Sequence, residues 1–276
     1  VRCLLGRRAV VLGPRRCSVG ATARDLAAHR ATLTSLVPTM LHRLLEKGWR
    51  PPSSLRAVLL GGAAATRTLL ARAEGAGVPA LPTYGATETC AQAATRAPGT
   101  PPPADAGVGA PLPGVALRVR EGRVELRGPT LFDGYLGEDG SLDPARTPDG
   151  WWASGDLGTL DASGRLHLRG RRADLIVTGG ENVYPAEVEA LLAEALPGVE
   201  AAVVGLADEE WGERVAVAFA GADERAAHEA LRRTSLAAHQ RPRAIALLTE
   251  LPRTPAGKVD RRALRALPFE PLPGST

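Results

Sequence analysis

A chain of 276 residues is long enough for one large or two ordinary domains with cores of their own, and 44% hydrophobic with 23% charged residues is the balance of a soluble globular protein. No apolar run approaches the ~18 residues that a membrane helix needs and no signal-peptide pattern opens the chain, so a cytoplasmic protein without membrane insertion is expected. The net charge of +4 and isoelectric point of about 9.3 raise nucleic-acid binding, but the arginines are scattered among carboxylates without a basic block or interleaved aromatics, which argues for a solvated mixed surface and no nucleic-acid partner.

Cys3, Cys17 and Cys90 are too few and too scattered for a disulfide framework or a zinc site, which fits a reducing compartment. Of the 34 lysines plus arginines only Lys47 and Lys258 are lysines. Lys47 ends a predicted helix, where either cation would serve; Lys258 calls for another reason. The chain enters at Val1 directly into an apolar, arginine-containing stretch, as the middle of a domain would, so a fragment or processed chain is expected.

In chain order, residues 31–48 predict a strand through Val37 and then a helix with Thr39 as N-cap. Met40, Leu41, Leu44 and Leu45 would form its apolar face, with His42 at the surface and Gly48 as the stop. Leu55–Leu60 reads as a strand leaving through Gly61 and Gly62, followed by a helix from about Thr66 to Glu74 and a buried strand from Val78 that ends at Pro82. The glycine pair would either admit a nucleotide base against backbone or simply turn the chain. Next comes YGATETCAQ, Tyr84 to Gln92, at the carboxyl end of that strand, where open α/β sheets hold ligands. Gly85 allows close backbone approach, Thr87 offers a hydroxyl and Glu88 a carboxylate for a hard metal ion, although an ordinary polar turn reads the same way.

Residues 96–114 read as a surface connection rich in proline and glycine. Ala116–Arg120 and Val124–Leu126 then alternate around Glu121 and Gly122 as a hairpin, and a second hairpin turns at Asp161 to Gly164. Between them, SGDLG places Asp156 after a glycine and before a strand, suited to accepting both hydroxyls of a ribose or to closing a turn. GRRADLIVTGGEN marks a boundary: a strand from Leu175 to Thr178 runs into Gly179 and Gly180, which can swing or admit a slender ligand. A helix over Val183–Ala195 with Pro185 in its first turn, strands at Ala201–Leu206 and Val215–Phe219, a helix from about Asp223 to Ala238 and a strand at Ile245–Leu248 complete a small α+β domain of about 100 residues. In PRTPAGKVDRRAL, Lys258 rides a Pro- and Gly-containing loop and Asp260 caps a terminal helix; a lysine so carried suits delivery to phosphate oxygens, or is a surface lysine.

Four ordered stretches, YGATE, the SGD after DGWW, GRRADLIVTGGENVYPAEVE and PRTPAGK, resemble the adenylate-forming superfamily of acyl-CoA synthetases, nonribosomal adenylation domains and luciferases over nearly the whole chain. SLVPTMLHRLLE, SSLRAVLLGGAA and PTYGATETCAQAAT look most like its 2-succinylbenzoate:CoA ligase branch, of menaquinone synthesis. The resemblance implies an α/β and α+β fold: residues 1–169 as the C-terminal part of the large adenylation domain, with α/β layers and a small β subdomain, and residues 170–276 as a small mobile α+β domain. It implies ATP, Mg²⁺ and coenzyme A, with a small-molecule carboxylic acid as co-substrate; a homo-oligomer is left open. By the same resemblance Gly62, Ala63 and Tyr84 flank adenine, Thr87 binds phosphate, Glu88 holds Mg²⁺, and Asp156 and Arg171 take the ribose. Lys258 bridges acyl carboxylate and α-phosphate, and the loop of Gly179, Gly180 and Glu181 replaces it for the pantetheine arm. Ala173 stands where the family often pivots on aspartate or lysine, so the swing falls to a neighbour or to Arg172 and Asp174. The family's Ser/Thr/Gly-rich phosphate loop has no counterpart between Val1 and Tyr84, so these 276 residues by themselves are expected to be inert or nearly so. The alternatives are a ligase for another aryl or fatty acid and a remnant that binds AMP or a protein without turnover.

Overall fold

The computed structural model describes residues 6–13, 18–99, 107–254 and 257–272. They form two units that interleave along the chain: unit 1 comprises residues 1–116, 127–144 and 160–167, and unit 2 comprises 117–126, 145–159 and 168–276.

Unit 1 is built on a five-stranded sheet of β1 (Leu33–Leu36), β2 (Ala57–Leu60), β3 (Ala80–Ala86), β4 (Ala91–Thr95) and β5 (Ala110–Pro111), in that spatial order. The first three strands run parallel and the last two turn antiparallel. Helices α1 (Val19–Ala28), α2 (Pro38–Glu46) and α3 (Arg67–Gly75) supply Leu26, Leu41, Leu44, Leu69, Leu70 and Ala73 to one core with Val58 and Leu60 of β2. The expected apolar face of α2 is the buried one, Leu41 and Leu44 fully and Met40 and Leu45 in part. Its cap differs from expectation. Val37 precedes the helix without a side-chain bond and Pro38 takes the first turn, where its missing N–H would have had no partner, so Thr39 lies inside the helix. Thr66 does cap α3, its hydroxyl accepting from the Leu69 amide at 3.2 Å.

The third strand also departs from the sequence reading, for it does not end at Pro82. Pro82 pairs with Leu60, the last residue of β2, and the antiparallel ladder to β4 begins at Thr83. The proline thus sits where one ladder runs out and the next starts, so a missing donor is tolerated inside a central strand. Nor is the 96–114 connection all surface: Val108 is buried with its amide on the Leu166 carbonyl, and β5 extends the sheet. Residues 100–106 of that stretch lie outside the described residues.

Unit 2 begins with β6 (Ala116–Arg120) and β7 (Arg123–Arg127), joined by Glu121 and Gly122 at φ 50° and 76°, a two-residue turn of the primed kind. The chain then returns to unit 1 for a small hairpin of β8 (Tyr135–Leu136) and β9 (Leu142–Asp143). β10 (Trp152–Leu160) and β11 (Leu166–Arg171) complete a four-stranded sheet in the order β11, β10, β7, β6. The larger sheet follows: β12 (Ile176–Thr178), β13 (Glu181–Val183), β14 (Glu200–Asp208), β15 (Gly212–Ala220), β16 (Ala244–Leu248) and β17 (Glu270–Pro271), with α4 (Pro185–Ala195), α5 (Glu224–Arg233) and α6 (Arg261–Arg265).

The period of two sorts the residues of β14 and β15 between two cores. Val203, Val215, Val217 and Phe219 face one way and pack with Val188 and Leu192 of α4 and Ala227 of α5. Ala202, Val204, Ala216 and Ala218 face the other way, where small side chains let α6 approach with Leu264. The fifth helix is shorter than expected. At Thr234 the backbone turns extended, the threonine hydroxyl bonds the Leu231 carbonyl at 3.0 Å, and Leu236 is drawn into the first of these cores.

Candidate functional site

In unit 1 the predicted residues lie along the exits of two adjacent parallel strands, Gly62 and Ala63 after β2, and Tyr84 to Glu88 in the last part of β3 and the turn that follows it. Gly61 follows β2 so closely against β3 that a Cβ would lie 2.6 Å from the Thr83 hydroxyl, which donates to the Leu60 carbonyl. Gly62 at φ 83° turns the chain away and leaves Gly62 and Ala63 exposed. One strand over, Tyr84 is buried and Gly85 opens a bulge in the ladder to β4. A Cβ on Gly85 would run into the Ala91 carbonyl, so the bulge itself demands glycine.

A single 3₁₀ turn, Thr87–Thr89, joins β3 to β4. Thr89 is buried; its hydroxyl accepts from the Ala86 amide at 2.9 Å and lies 3.0 and 2.9 Å from the carbonyl oxygens of Ala86 and Ala91. The exit is strained, with Cys90 at φ 52° and Ala91 at φ 116°, and such backbone costs about 1–3 kcal/mol per residue where glycine is absent. Neither residue type signals this. The outcome is that Thr87 stands exposed and Glu88 half-buried beside it.

A contact that sequence reading missed holds Glu88. The Tyr135 hydroxyl donates to Glu88 Oε1 at 2.9 Å, the Phe132 amide donates to the Glu88 carbonyl at 2.8 Å, and the two rings pack edge to face at 4.8 Å. A sequence separation of 47 positions between Glu88 and Tyr135 leaves no spacing signal for the pair.

Unit 2 carries the others. Asp156 is not ahead of a strand but within β10, where the register shifts between Ala153 and Leu157 and Gly155 takes φ 74°. Ser154 supports the bulge, donating to the Val124 carbonyl and accepting from the Asp156 amide. Arg171 Nε donates to Asp156 Oδ1 at 3.1 Å, so the structure brings together the two residues assigned to one sugar. The start of β10 is braced by Arg118, which lies 4.2 Å over the buried Trp151 ring and bonds Glu125 and Asp149. The Thr147 hydroxyl and then Arg118 hold the Asp149 carboxyl down to about 2.

Gly179 and Gly180, at φ 57° and 84°, form the two-residue turn between β12 and β13, and Glu181 stands exposed after it. This turn is seated: the Gly179 amide donates to the Trp211 carbonyl, and a Cβ there would lie 2.7 Å from the indole. Lys258 is exposed on a loop closed by the Thr254 amide on the Lys258 carbonyl. Arg253 ties that loop down, reaching both oxygens of Glu200 at 2.7 Å and the Gly257 carbonyl at 3.0 Å. Asp260 caps α6 through the Ala263 amide, as expected, and Arg261 behind it pairs with Glu189, whose carboxyl burial pushes up, and approaches Asp174 at 3.9 Å. Arg172, Ala173 and Asp174 form a 3₁₀ turn.

These donors fit a nucleotide-borne cation and not a protein cage. Among the described residues no group of three or more His, Cys, Asp or Glu could hold a metal ion, while Mg²⁺ is commonly bound by one or two carboxylates plus phosphates. A cavity of about 480 Å³ between α5 and β16, lined by Glu224, His228 and Leu247 among others, includes none of the predicted site residues. No described helix is long and apolar enough to cross a membrane.

Residues 2–136 match the family model of the AMP-binding enzyme and residues 187–258 that of the AMP-binding enzyme C-terminal domain. A 2-succinylbenzoate–CoA ligase from Bacillus pumilus is 37% identical over 258 residues, covering 89% of this chain and 53% of the relative. Among solved structures, the o-succinylbenzoate CoA synthetase from Bacillus subtilis in complex with the acyl-adenylate intermediate OSB-AMP is 32% identical with a TM-score of 0.86, over 98% of this chain and 58% of that one. The same enzyme in complex with ATP and magnesium ion is 33% identical with a TM-score of 0.82, over 96% and 57%. The chain thus spans about half the length of the curated relatives it matches.

Proposed function

We propose, for a chain that belongs to the AMP-binding enzymes, a part in the ATP-dependent ligation of a carboxylic acid to coenzyme A through an acyl adenylate, with 2-succinylbenzoate as the acid. The observation that supports the reading is the strained turn after β3, which leaves Thr87 exposed and Glu88 half-buried at the end of the strand whose Thr83 packs against the Gly61 exit of β2. Strain of that kind persists where the surrounding fold enforces it, and it collects at ligand sites.

In the first step a carboxylate oxygen of the acid attacks the α-phosphorus of ATP and the bond to the β-phosphate oxygen breaks, releasing pyrophosphate. Two anions meet, so the site must supply cations and donors aimed at the charge that develops. Thr87 donates its hydroxyl to a phosphate oxygen, and Lys258 sets its ammonium between the acyl carboxylate and the α-phosphate. Glu88 would hold Mg²⁺, which supplies Lewis-acid neutralisation of the phosphate charge when bound. Gly62, Ala63 and Tyr84, with the Gly85 backbone, border the adenine; Asp156 accepts the ribose hydroxyls with Arg171 alongside. In the second step the coenzyme A sulfur attacks the acyl carbon, AMP departs and the thiol proton passes to solvent. The loop of Gly179, Gly180 and Glu181 takes the place of the Lys258 loop for that step, with residues 1–169 and 170–276 as the bodies that move and Arg172–Asp174 as the pivot. The second family match, at 187–258, falls wholly within the smaller body and supports that division.

The test is Lys258→Ala in the full-length protein. Acid-dependent exchange of pyrophosphate into ATP is expected to fall by about 10²-fold or more, while thioester formation from supplied acyl adenylate falls far less. Equal loss in both half-reactions removes Lys258 from the first step. Exchange across a panel of aryl and fatty acids tests the acid, and a preference for any other than 2-succinylbenzoate overturns that part.

A further inference from the structure

We propose that Tyr135 is a positioning residue for Glu88, holding one carboxylate oxygen so that the other is presented to a divalent cation on the nucleotide. This rests on the assignment of Glu88 to Mg²⁺ made above. A glutamate on a half-exposed turn would otherwise sample several rotamers, and each ordering step on binding would cost affinity. Here the Tyr135 hydroxyl bonds Oε1 at 2.9 Å, and among the described residues Oε2 carries no hydrogen bond or ion pair.

The hydroxyl is delivered by a built device. Tyr135 opens the β8–β9 hairpin and pairs with Asp143, and Gly134 before it packs so tightly that a Cβ would lie 2.7 Å from the Asp143 carbonyl carbon and 2.9 Å from Pro144 Cα. At the hairpin's far end Asp139 accepts from both the amide and the hydroxyl of Ser141. Phe132 fixes the approach twice, through its amide on the Glu88 carbonyl and its ring against Tyr135. Side chain and backbone of Glu88 are therefore gripped by one short segment.

The experiment is calorimetric titration of full-length wild type, Tyr135→Phe and Glu88→Gln with Mg²⁺·ATP and, separately, with AMP without metal. The phenylalanine keeps the ring contact and removes only the hydroxyl. Partners that orient a metal ligand typically contribute 10–100-fold to metal affinity, so Tyr135→Phe is expected to weaken Mg²⁺·ATP about tenfold and leave AMP unchanged. Glu88→Gln should lose at least as much by the same measure. If Tyr135→Phe matches wild type, or weakens both ligands alike as a general loosening would, the positioning role is overturned. If Glu88→Gln also matches wild type, the metal assignment falls with it.

Discussion

Replacing Gly85 by alanine tests whether this position answers first to the chain itself. A Cβ there would lie 2.6 Å from the Ala91 carbonyl carbon and 2.8 Å from Gln92 Cα, well inside ordinary contact. Both are backbone atoms of the paired strand, so no rotamer change relieves the overlap and the bulge must open. Forcing extra atoms into a packed site costs about 1–3 kcal/mol, and losing one or two ladder hydrogen bonds adds about 1 kcal/mol each, so a loss of about 3–4 kcal/mol is expected. Against stabilities of about 5–15 kcal/mol that is a large fraction, equivalent to roughly 10 °C in melting midpoint. Gly75→Ala provides the contrast. This last residue of α3 has nothing within 4 Å of its built Cβ, so the change should be neutral or stabilise by up to about 1 kcal/mol. Thermal melting of both variants, with hydrogen exchange followed on peptides spanning residues 80–95, reads the two effects. A Gly85→Ala protein that melts with wild type and keeps its protection across β3 and β4 would refute the steric argument.

Two further outcomes follow from the small domain and the brace. Arg253→Ala should lower pyrophosphate exchange about tenfold by loosening the Lys258 loop, with melting changed by less than about 1 kcal/mol because the pair with Glu200 is partly exposed; exchange equal to wild type would show that the loop does not depend on this tether. Asp149 has its carboxyl depressed to about 2, so its contribution to stability is complete above the usual carboxylate value near 4 and is lost as pH falls through about 2. The melting difference between wild type and Asp149→Asn should accordingly be constant from pH 7 to 5 and shrink below about 4; a gap independent of pH down to 2.5 would contradict the assigned cause.

What could be read from sequence was whatever lies close along the chain. The face of α2, the Glu121–Gly122 hairpin and the Asp260 cap each depend on neighbours within a few residues, and all three stand as expected. Helix α1 was missed, and β5 and β13 are too short for a period to show. Pro82 ended a strand on paper because its tolerance depends on where β2 stops, a tertiary fact. Thr39 lost its capping position to Val37, two residues earlier, because Pro38 opens the helix, a shift within the uncertainty of any helix boundary. Of the site, the Thr87–Glu88 turn was recognisable as residues but not as geometry. The φ of Ala91 is imposed by the bulge, and Tyr135 reaches Glu88 across an intervening hairpin.

The hydroxyl of Thr89 shapes the turn from within. It accepts from the Ala86 amide and shares its one proton between the carbonyl oxygens of Ala86 and Ala91, standing in for solvent at the turn. The conformational entropy of ordering that segment is therefore settled during folding, so the nucleotide proposed to bind at Thr87 would meet a surface already in shape. Thr89→Val, similar in outline but unable to bond, should slow association with nucleotide more than it alters the contacts made afterwards.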